Sequence, residues 1–240
     1  MCTNECASLA PHAVIFDMDG TLIDSTQVII TSIYDVFTAE MGYEGVAEDF
    51  KKCVGPPLEV SFAQISGASQ EKVIELIGKY RSIYSKRAHA INPYPGIETL
   101  IRALFDAGVT LAVATAKLET AAIELLEEKE LASYFQVVCG AQPYGKNAHS
   151  KIQIVERALT SLRHKNPSLT NNNIVMIGDR FYDVEGATQN GIRCIGANWA
   201  GLAEPDEFND AYCVVQSVDE LRQLLAPHNI SANDANFCGE

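Results

Sequence analysis

This sequence predicts an α/β fold, a Rossmann-like doubly wound parallel sheet carrying an inserted all-helical domain. Short apolar runs at residues 14–16, 109–114, 136–139, 174–177, 192–195 and 212–215 recur with amphipathic stretches between them. Runs that stay apolar without alternating are the mark of strands buried on both faces. The stretches between them, 97–107, 118–129, 152–162 and 184–190, place apolar residues at helical spacing. Strand and helix therefore alternate, which implies a parallel sheet with right-handed crossovers.

The first run, 14–16, is the opening strand. After it the alternation breaks, since no strand pattern occurs from 25 to 92. Ile29, Ile33, Val36 and Phe37 form one helical stripe there, and Val73, Ile74, Ile77, Tyr80 and Tyr84 form another. Asp24 and Ser69 are the expected N-caps of these helices. Asn92-Pro93-Tyr94-Pro95-Gly96 marks the exit, because two prolines and a glycine suit a stiff linker better than an element interior. The expected organisation is a core of residues 1–24 and 94–228, a helical cap of 25–93, and loose tails at 1–10 and 229–240. Open α/β sheets bind ligands at the carboxyl ends of their strands. The insert leaves from that end, so it is placed to act as a lid.

Asp17-Met18-Asp19-Gly20-Thr21 follows the first strand directly. Burying paired negative charge is costly unless something offsets it, and a hard cation does so. The same residues suit an ordinary turn or a calcium loop. The calcium loop, however, requires flanking helices and a terminal Glu that this context lacks. A second acidic pair, Asp179 and Asp183, emerges from the run 174–177 within Gly178-Asp179-Arg180-Phe181-Tyr182-Asp183. Together the four aspartates offer the oxygen cage that Mg²⁺ prefers. Thr115-Ala116-Lys117 follows the run 109–114, and its hydroxyl and backbone N–H groups could hold phosphate oxygens, partly at a helix N-terminus. Thr115 could equally be a simple helix cap. Lys151 opens the helix 152–162, where a lysine opposes the helix dipole unless a nearby anion rewards it. Lys146 competes for that role.

A net charge of −13 disfavours nucleic acid and anionic membrane surfaces as partners. It leaves a small phosphorylated metabolite open, provided that local positive charge sits at the site. No segment is long and apolar enough to span a bilayer, and the first residues lack the basic start and apolar stretch of an export signal. The seven cysteines show no metal-ligand spacing, and Cys139, Cys194 and Cys213 read as small core residues. A reducing cytoplasm fits this usage. Oligomeric state leaves no mark in the sequence.

These motifs resemble those of the haloacid dehalogenase superfamily, specifically its phosphatases with a helical cap, such as phosphoglycolate phosphatases. Asp17-Met18-Asp19-Gly20-Thr21-Leu22-Ile23-Asp24-Ser25 matches the family's first motif, Thr115 the second, Lys151 the third, and the stretch Gly178 to Asp183 the fourth. Val54-Gly55-Pro56-Pro57-Leu58 resembles the cap loop that approaches substrate, and Tyr80-Arg81 with Tyr84 resembles the cap exit, so Arg81, Gly55 and Pro56 become expected substrate contacts. The resemblance implies an aspartyl-phosphate on Asp17, with Asp19 as acid and base. It also implies Mg²⁺ between Asp17, the backbone carbonyl of Asp19 and Asp179, with Asp183 in support. Thr115 and Lys151 would hold the transferring phosphoryl group, joined by Gly20, Thr21, Ala116 and Lys117. Within the same resemblance 5′-nucleotidase, inorganic pyrophosphatase and β-phosphoglucomutase-like activities stay open, as does a phosphate-binding module without turnover. The chain departs from its relatives at Asn198-Trp199-Ala200-Gly201, with Ala where Gly is common, and in a loop at 163–173 that looks long.

Overall fold

The computed structural model describes residues 9–142, 150–204 and 206–225. Its centre is β1 (Ala13–Phe16), buried at every residue because it pairs in parallel with a strand on each side, β2 (Thr110–Leu118) and β4 (Ile174–Gly178). With β3 (Phe135–Ala141), β5 (Arg193–Ala197) and β6 (Cys213–Val215) they form one parallel sheet in the order β3-β2-β1-β4-β5-β6. The order reverses between β1 and β4, where open sheets of this kind present a crevice.

Side chains alternate across this sheet, so each strand feeds two cores. Ala13 and Ile15 join Ala112, Ala114 and Met176 beneath α6 (Lys151–Lys165) and α7 (Phe181–Gln189). Val14 and Phe16 point the other way, into a larger core shared with α4 (Ile97–Asp106), α5 (Glu119–Glu128) and α8 (Val218–Leu225). That larger core runs on into the insert, whose helices are α1 (Thr26–Met41), α2 (Leu58–Ser66) and α3 (Gln70–Arg87), with a 3₁₀ helix at Ala47–Cys53. Aromatic rings hold these helices together: Phe37 lies 5.3 Å from Phe50 and 5.2 Å from Phe62, centroid to centroid, and Phe62 lies 5.8 Å from Tyr80. Such edge-on pairs add to the area that the rings bury.

The two chain crossings between sheet and insert run side by side. Ile23 bridges Pro93 in antiparallel sense, Asp24 N–H donates to the Asn92 carbonyl at 2.9 Å, and Tyr94 N–H donates to the Leu22 carbonyl at 3.0 Å.

Several expectations change. Ser25, not Asp24, is the residue at the N-cap of α1, and its side chain makes no capping bond because it is engaged elsewhere. Ser69 caps α3 as expected, accepting from Lys72 N–H. β2 runs past the apolar segment to Leu118, with a register irregularity between Ala114 and Leu118 as it pairs with Ala141. Thr115, Ala116 and Lys117 therefore lie in extended chain rather than at a helix N-terminus, and the N-cap of α5 is Leu118, not Thr115. α6 extends to Lys165 and a 3₁₀ turn forms at Asn171–Asn173, so the long loop after residue 163 is mostly structured. Cys53, Cys139 and Cys194 are buried free thiols, whereas Cys213 is buried but bonded, which is more than a core filler does. Lys146 lies outside the described residues. No helix among the described residues is long and apolar enough to cross a membrane.

Because β1 is paired on both sides and Ile15 is wholly buried, the core there has little freedom to collapse around a smaller residue. Ile15→Ala is expected to lower unfolding stability by about 3 kcal/mol, the cost of lost burial plus a residual cavity. Urea titration with an unchanged slope measures it.

Candidate active site

Four segments deliver side chains to the carboxyl edge of the sheet. Asp17 and Asp19 leave β1, Thr115 and Lys117 lie on the end of β2, Asp179 and Asp183 follow β4, and Lys151 is the first residue of α6. The capping box of Ser150 and Gln153 fixes where α6 begins, and so where Lys151 points. Lys151 Nζ donates to Asp17 Oδ1 at 2.6 Å and to the Ala114 carbonyl at 3.0 Å, and lies 2.7 Å from Asp183 Oδ1.

Asp17, Asp179 and Asp183 each offer an oxygen within 4.8 Å of the others, and all three are buried. Among the described residues one lysine, Lys151, faces this cluster. Burial first, then Asp183, pushes the Asp17 carboxyl up to about 7 against the pull of Lys151. Burial and the same neighbouring carboxylates raise Asp179 well above the ordinary carboxylate range. Burial acts to lower Lys151, but Asp17 and Asp183 outweigh it and hold the ammonium above its usual value. Asp179 Oδ2 is buried and has no hydrogen-bond partner among the described residues. An orphaned carboxylate oxygen inside a cluster of three is one that a cation would satisfy, and all-oxygen donors suit a hard divalent ion.

Gly20 turns the chain beside this cluster with φ +86°, and a Cβ there would sit 2.2 Å from Asp179 Oδ2. Only glycine allows that approach. Thr21 donates its hydroxyl to Asp179 Oδ1 at 3.2 Å, and its own carbonyl accepts from Trp199 Nε1. Gly20 N–H is taken by the Ile23 carbonyl. Of these two residues, expected against phosphate, Gly20 makes room for Asp179 and Thr21 holds it.

Asp19 is set apart from the metal-type cluster. Its carboxylate accepts from Ser25 Oγ at 2.6 Å and from Lys117 Nζ at 3.0 and 2.8 Å. Lys117 Nζ also lies 4.3 Å from the ring centroid of Tyr84 on α3, a cation–π contact that joins the sheet edge to the insert. Burial acts to lower the Lys117 ammonium, but Asp19, Tyr84 and Tyr80 outweigh it and keep the lysine charged. The side chain of Lys117 is thus committed to Asp19, a role that the sequence reading, which used its backbone N–H, missed. The signal was available, since residues two apart in extended chain share a face and Thr115 was already placed there. Thr115 is buried beside Asp17, and its hydroxyl accepts from Lys117 N–H at 3.2 Å.

Asp17, Asp19, Thr115, Ala116 and Lys117 border a cavity of about 350 Å³ between sheet edge and insert. Arg81, Gly55 and Pro56 line it from the insert, where the sequence placed them.

A clamp that sequence reasoning missed holds the insert's loop over this cavity. Arg180 Nε and Nη2 donate to the two carboxylate oxygens of Glu207 at 2.9 and 3.0 Å, and Nη1 donates to the Val54 carbonyl. Glu207 also accepts from Phe181 N–H at 2.8 Å. The next residue along, Gly55, has φ +102°, and a Cβ there would meet Arg180 Cγ at 2.6 Å. The forked, planar guanidinium is what such two-sided bonding requires.

The comparisons agree with this geometry. The family model for haloacid dehalogenase-like hydrolases matches residues 14–197. The chain belongs to that family. It is similar to the tyrosine-protein kinase PtkA of Mycobacterium tuberculosis (strain ATCC 25618 / H37Rv), 35% identical over 90% of this chain and 73% of that one. A 5′-nucleotidase of Pseudomonas aeruginosa is 30% identical over 92% of this chain and 99% of its own length. Among solved structures, a predicted phosphatase from Clostridium acetobutylicum superposes with a TM-score of 0.80 at 33% identity, covering 89% of this chain and 97% of that chain. This haloacid dehalogenase-like hydrolase is an enzyme of the phosphoric monoester hydrolase kind.

Two expectations arise here. The Asp17 carboxyl titrates above its unfolded value of 3.8, so its contribution to stability is present below that value and lost as pH rises through about 7. In EDTA, the melting temperature of Asp17→Asn should therefore gain on that of the wild type between about pH 5 and pH 8, and added Mg²⁺ should erase much of the difference by raising the wild type. Arg180→Ala removes the clamp and strands Glu207. It should cost about 2 kcal/mol in stability, the scale of a lost hydrogen bond to a charged group, and raise KM several-fold with a smaller change in kcat, read by denaturation and steady-state kinetics.

Proposed function

We propose that this enzyme is a Mg²⁺-dependent phosphatase of small phosphomonoesters working through an aspartyl-phosphate on Asp17. The observation that carries the reading is the separate handling of two aspartates two residues apart. Asp17 is held by Lys151 among the buried carboxylates, while Asp19 is held by Lys117 and Ser25 at the mouth of the cavity. By position, Asp17 among the carboxylates that would share a cation is placed as the nucleophile, and Asp19 at the cavity mouth is placed to meet a leaving oxygen as the proton carrier.

In the first step an Asp17 carboxylate oxygen attacks phosphorus in line and the bond from phosphorus to the ester oxygen breaks. Asp19, protonated, gives its proton to that departing oxygen, so an alcohol leaves and the phosphoryl group stays on Asp17. In the second step water attacks the phosphoryl group and Asp19, now a carboxylate, takes the water's proton. The bond to Asp17 breaks, inorganic phosphate leaves, and both aspartates return to their starting states. Lys151 and Thr115, buried beside Asp17, are placed to position the transferring oxygens, where preorganised charge does most of the work. Lys117 steadies the negative form of Asp19 between the two proton transfers. Asp17, Asp179 and Asp183, with the carbonyl of Asp19, would hold Mg²⁺, which when bound supplies positive charge to the phosphoryl oxygens and offsets the buried carboxylates.

Support comes also from the family match and from relatives whose names are those of phosphate-ester enzymes. Asp17→Asn is expected to reduce turnover of 4-nitrophenyl phosphate by at least about a thousandfold while circular dichroism stays that of the wild type. Asp19→Asn should lose more on alkyl esters than on the nitrophenyl ester, whose leaving group needs little protonation. EDTA should stop the reaction and Mg²⁺ restore it. Near-normal turnover by Asp17→Asn would refute the mechanism.

A further inference from the structure

The cavity beyond the two aspartates has a character of its own. Its walls come from α3 and the loop before α2 on the insert side and from α5 on the sheet side. Tyr80 and Tyr84, with centroids 5.7 Å apart, form an aromatic wall, and Leu58, Leu118 and Leu125 add aliphatic surface. The charges are unbalanced. Lys117 is spent on both oxygens of Asp19, which leaves Arg81 as the cation facing the space beyond the aspartates among the described residues. Against that single guanidinium stand Glu59 and Glu124, while Glu128, also on the wall, is paired with Lys129 at 3.1 Å. A leaving group with its own carboxylate or second phosphate would meet Glu59 and Glu124 there, and like charge lining a cleft repels it.

One polar group in the wall lacks a partner. Tyr84 is 7% exposed, and its hydroxyl makes no hydrogen bond among the described residues. Buried hydroxyls are nearly always satisfied, so this one points to an atom that the substrate brings. An apolar cavity with a few placed polar groups is the usual form of a small-molecule site, and its volume of about 350 Å³ suits a group of nucleoside size or smaller.

We propose that the leaving group of this enzyme's substrate is uncharged, presents an aromatic face to the Tyr80–Tyr84 wall and offers a polar atom to the Tyr84 hydroxyl. Substrates whose leaving group is anionic, phosphoglycolate and pyrophosphate among them, are turned over poorly. The proposal rests on the phosphatase reading above and narrows it, setting the chain apart from the phosphoglycolate pattern that its motifs resemble. A nucleoside and a substituted aryl ring share the required chemistry.

The test compares kcat/KM for phosphate release from matched esters. Phenyl phosphate is set against 4-carboxyphenyl phosphate, and adenosine 5′-monophosphate against phosphoglycolate and pyrophosphate. The expected result is a preference of about tenfold or more for the uncharged leaving group within each set, and the faster of phenyl phosphate and adenosine 5′-monophosphate assigns bare ring or nucleoside. Glu59→Gln/Glu124→Gln should narrow the phenyl to carboxyphenyl ratio about threefold, the scale of two surface charges. Tyr84→Phe should lower kcat/KM more for the nucleotide than for phenyl phosphate, which has no distal polar atom. Equal or faster turnover of the anionic set overturns the proposal. Thermal shifts of the wild type with benzylphosphonate and 4-carboxybenzylphosphonate read the same preference without turnover. A protein that releases no phosphate from any ester therefore strikes the phosphatase reading, while the order of binding still decides this one: tighter or equal binding of the carboxylate overturns it.

Discussion

Three carboxylates and one ammonium, packed out of reach of water at the edge of a sheet, set the terms for the rest of this molecule. Asp17, Asp179 and Asp183 repel one another, and Lys151 balances only part of that charge. Everything nearby serves to hold them there. Two strands bring the acids together, the start of α6 is pinned by its capping box, Gly20 makes room for Asp179, and Thr21 bonds it. A cluster of that kind is unstable in isolation and useful with a cation. The core that bears it is accordingly well filled, with β1 buried end to end.

Beside that cluster the enzyme keeps its second aspartate in a different electrical setting. Asp19 has its own lysine and its own hydroxyl, and its lysine touches a ring of the insert. The insert reaches the residues of the sheet edge through the ring of Tyr84 against Lys117 and the Val54 carbonyl on Arg180. The loop at 54–58, which lines the cavity, is tied to the same short segment that carries Asp179 and Asp183.

Much of this was legible in the residues, and the parts that were not share a cause. Apolar runs and helical stripes report burial, which is local in sequence, so all six strands and the main helices could be placed. Acidic residues at strand ends, and a lysine at an awkward helix position, report an electrostatic imbalance that is also visible locally. The pairing of Lys117 with Asp19, 98 residues away, is not, nor is that of Arg180 with Val54 and Glu207. Nothing in a single chain marks which distant acid a base will meet. The extension of β2 escaped because Thr115 and Lys117 interrupt its apolar run, although extended chain there is what turns both side chains toward the site. Ser25 reads as a cap and sits at the cap position, yet its hydroxyl is diverted to Asp19, a local preference overruled by a charged neighbour.

The paired crossings between sheet and insert carry a consequence for descent as well as for motion. Since the chain enters and leaves the insert through adjacent, hydrogen-bonded segments at 22–24 and 92–94, the core sees the whole insert as a single closed loop. Closure entropy grows only slowly with loop length. Helices can accordingly be lengthened, exchanged or lost beyond that junction while β1 and its aspartates keep their register, so that lineages sharing one phosphoryl-transfer engine can diverge in what they recognise by redrawing the loop alone.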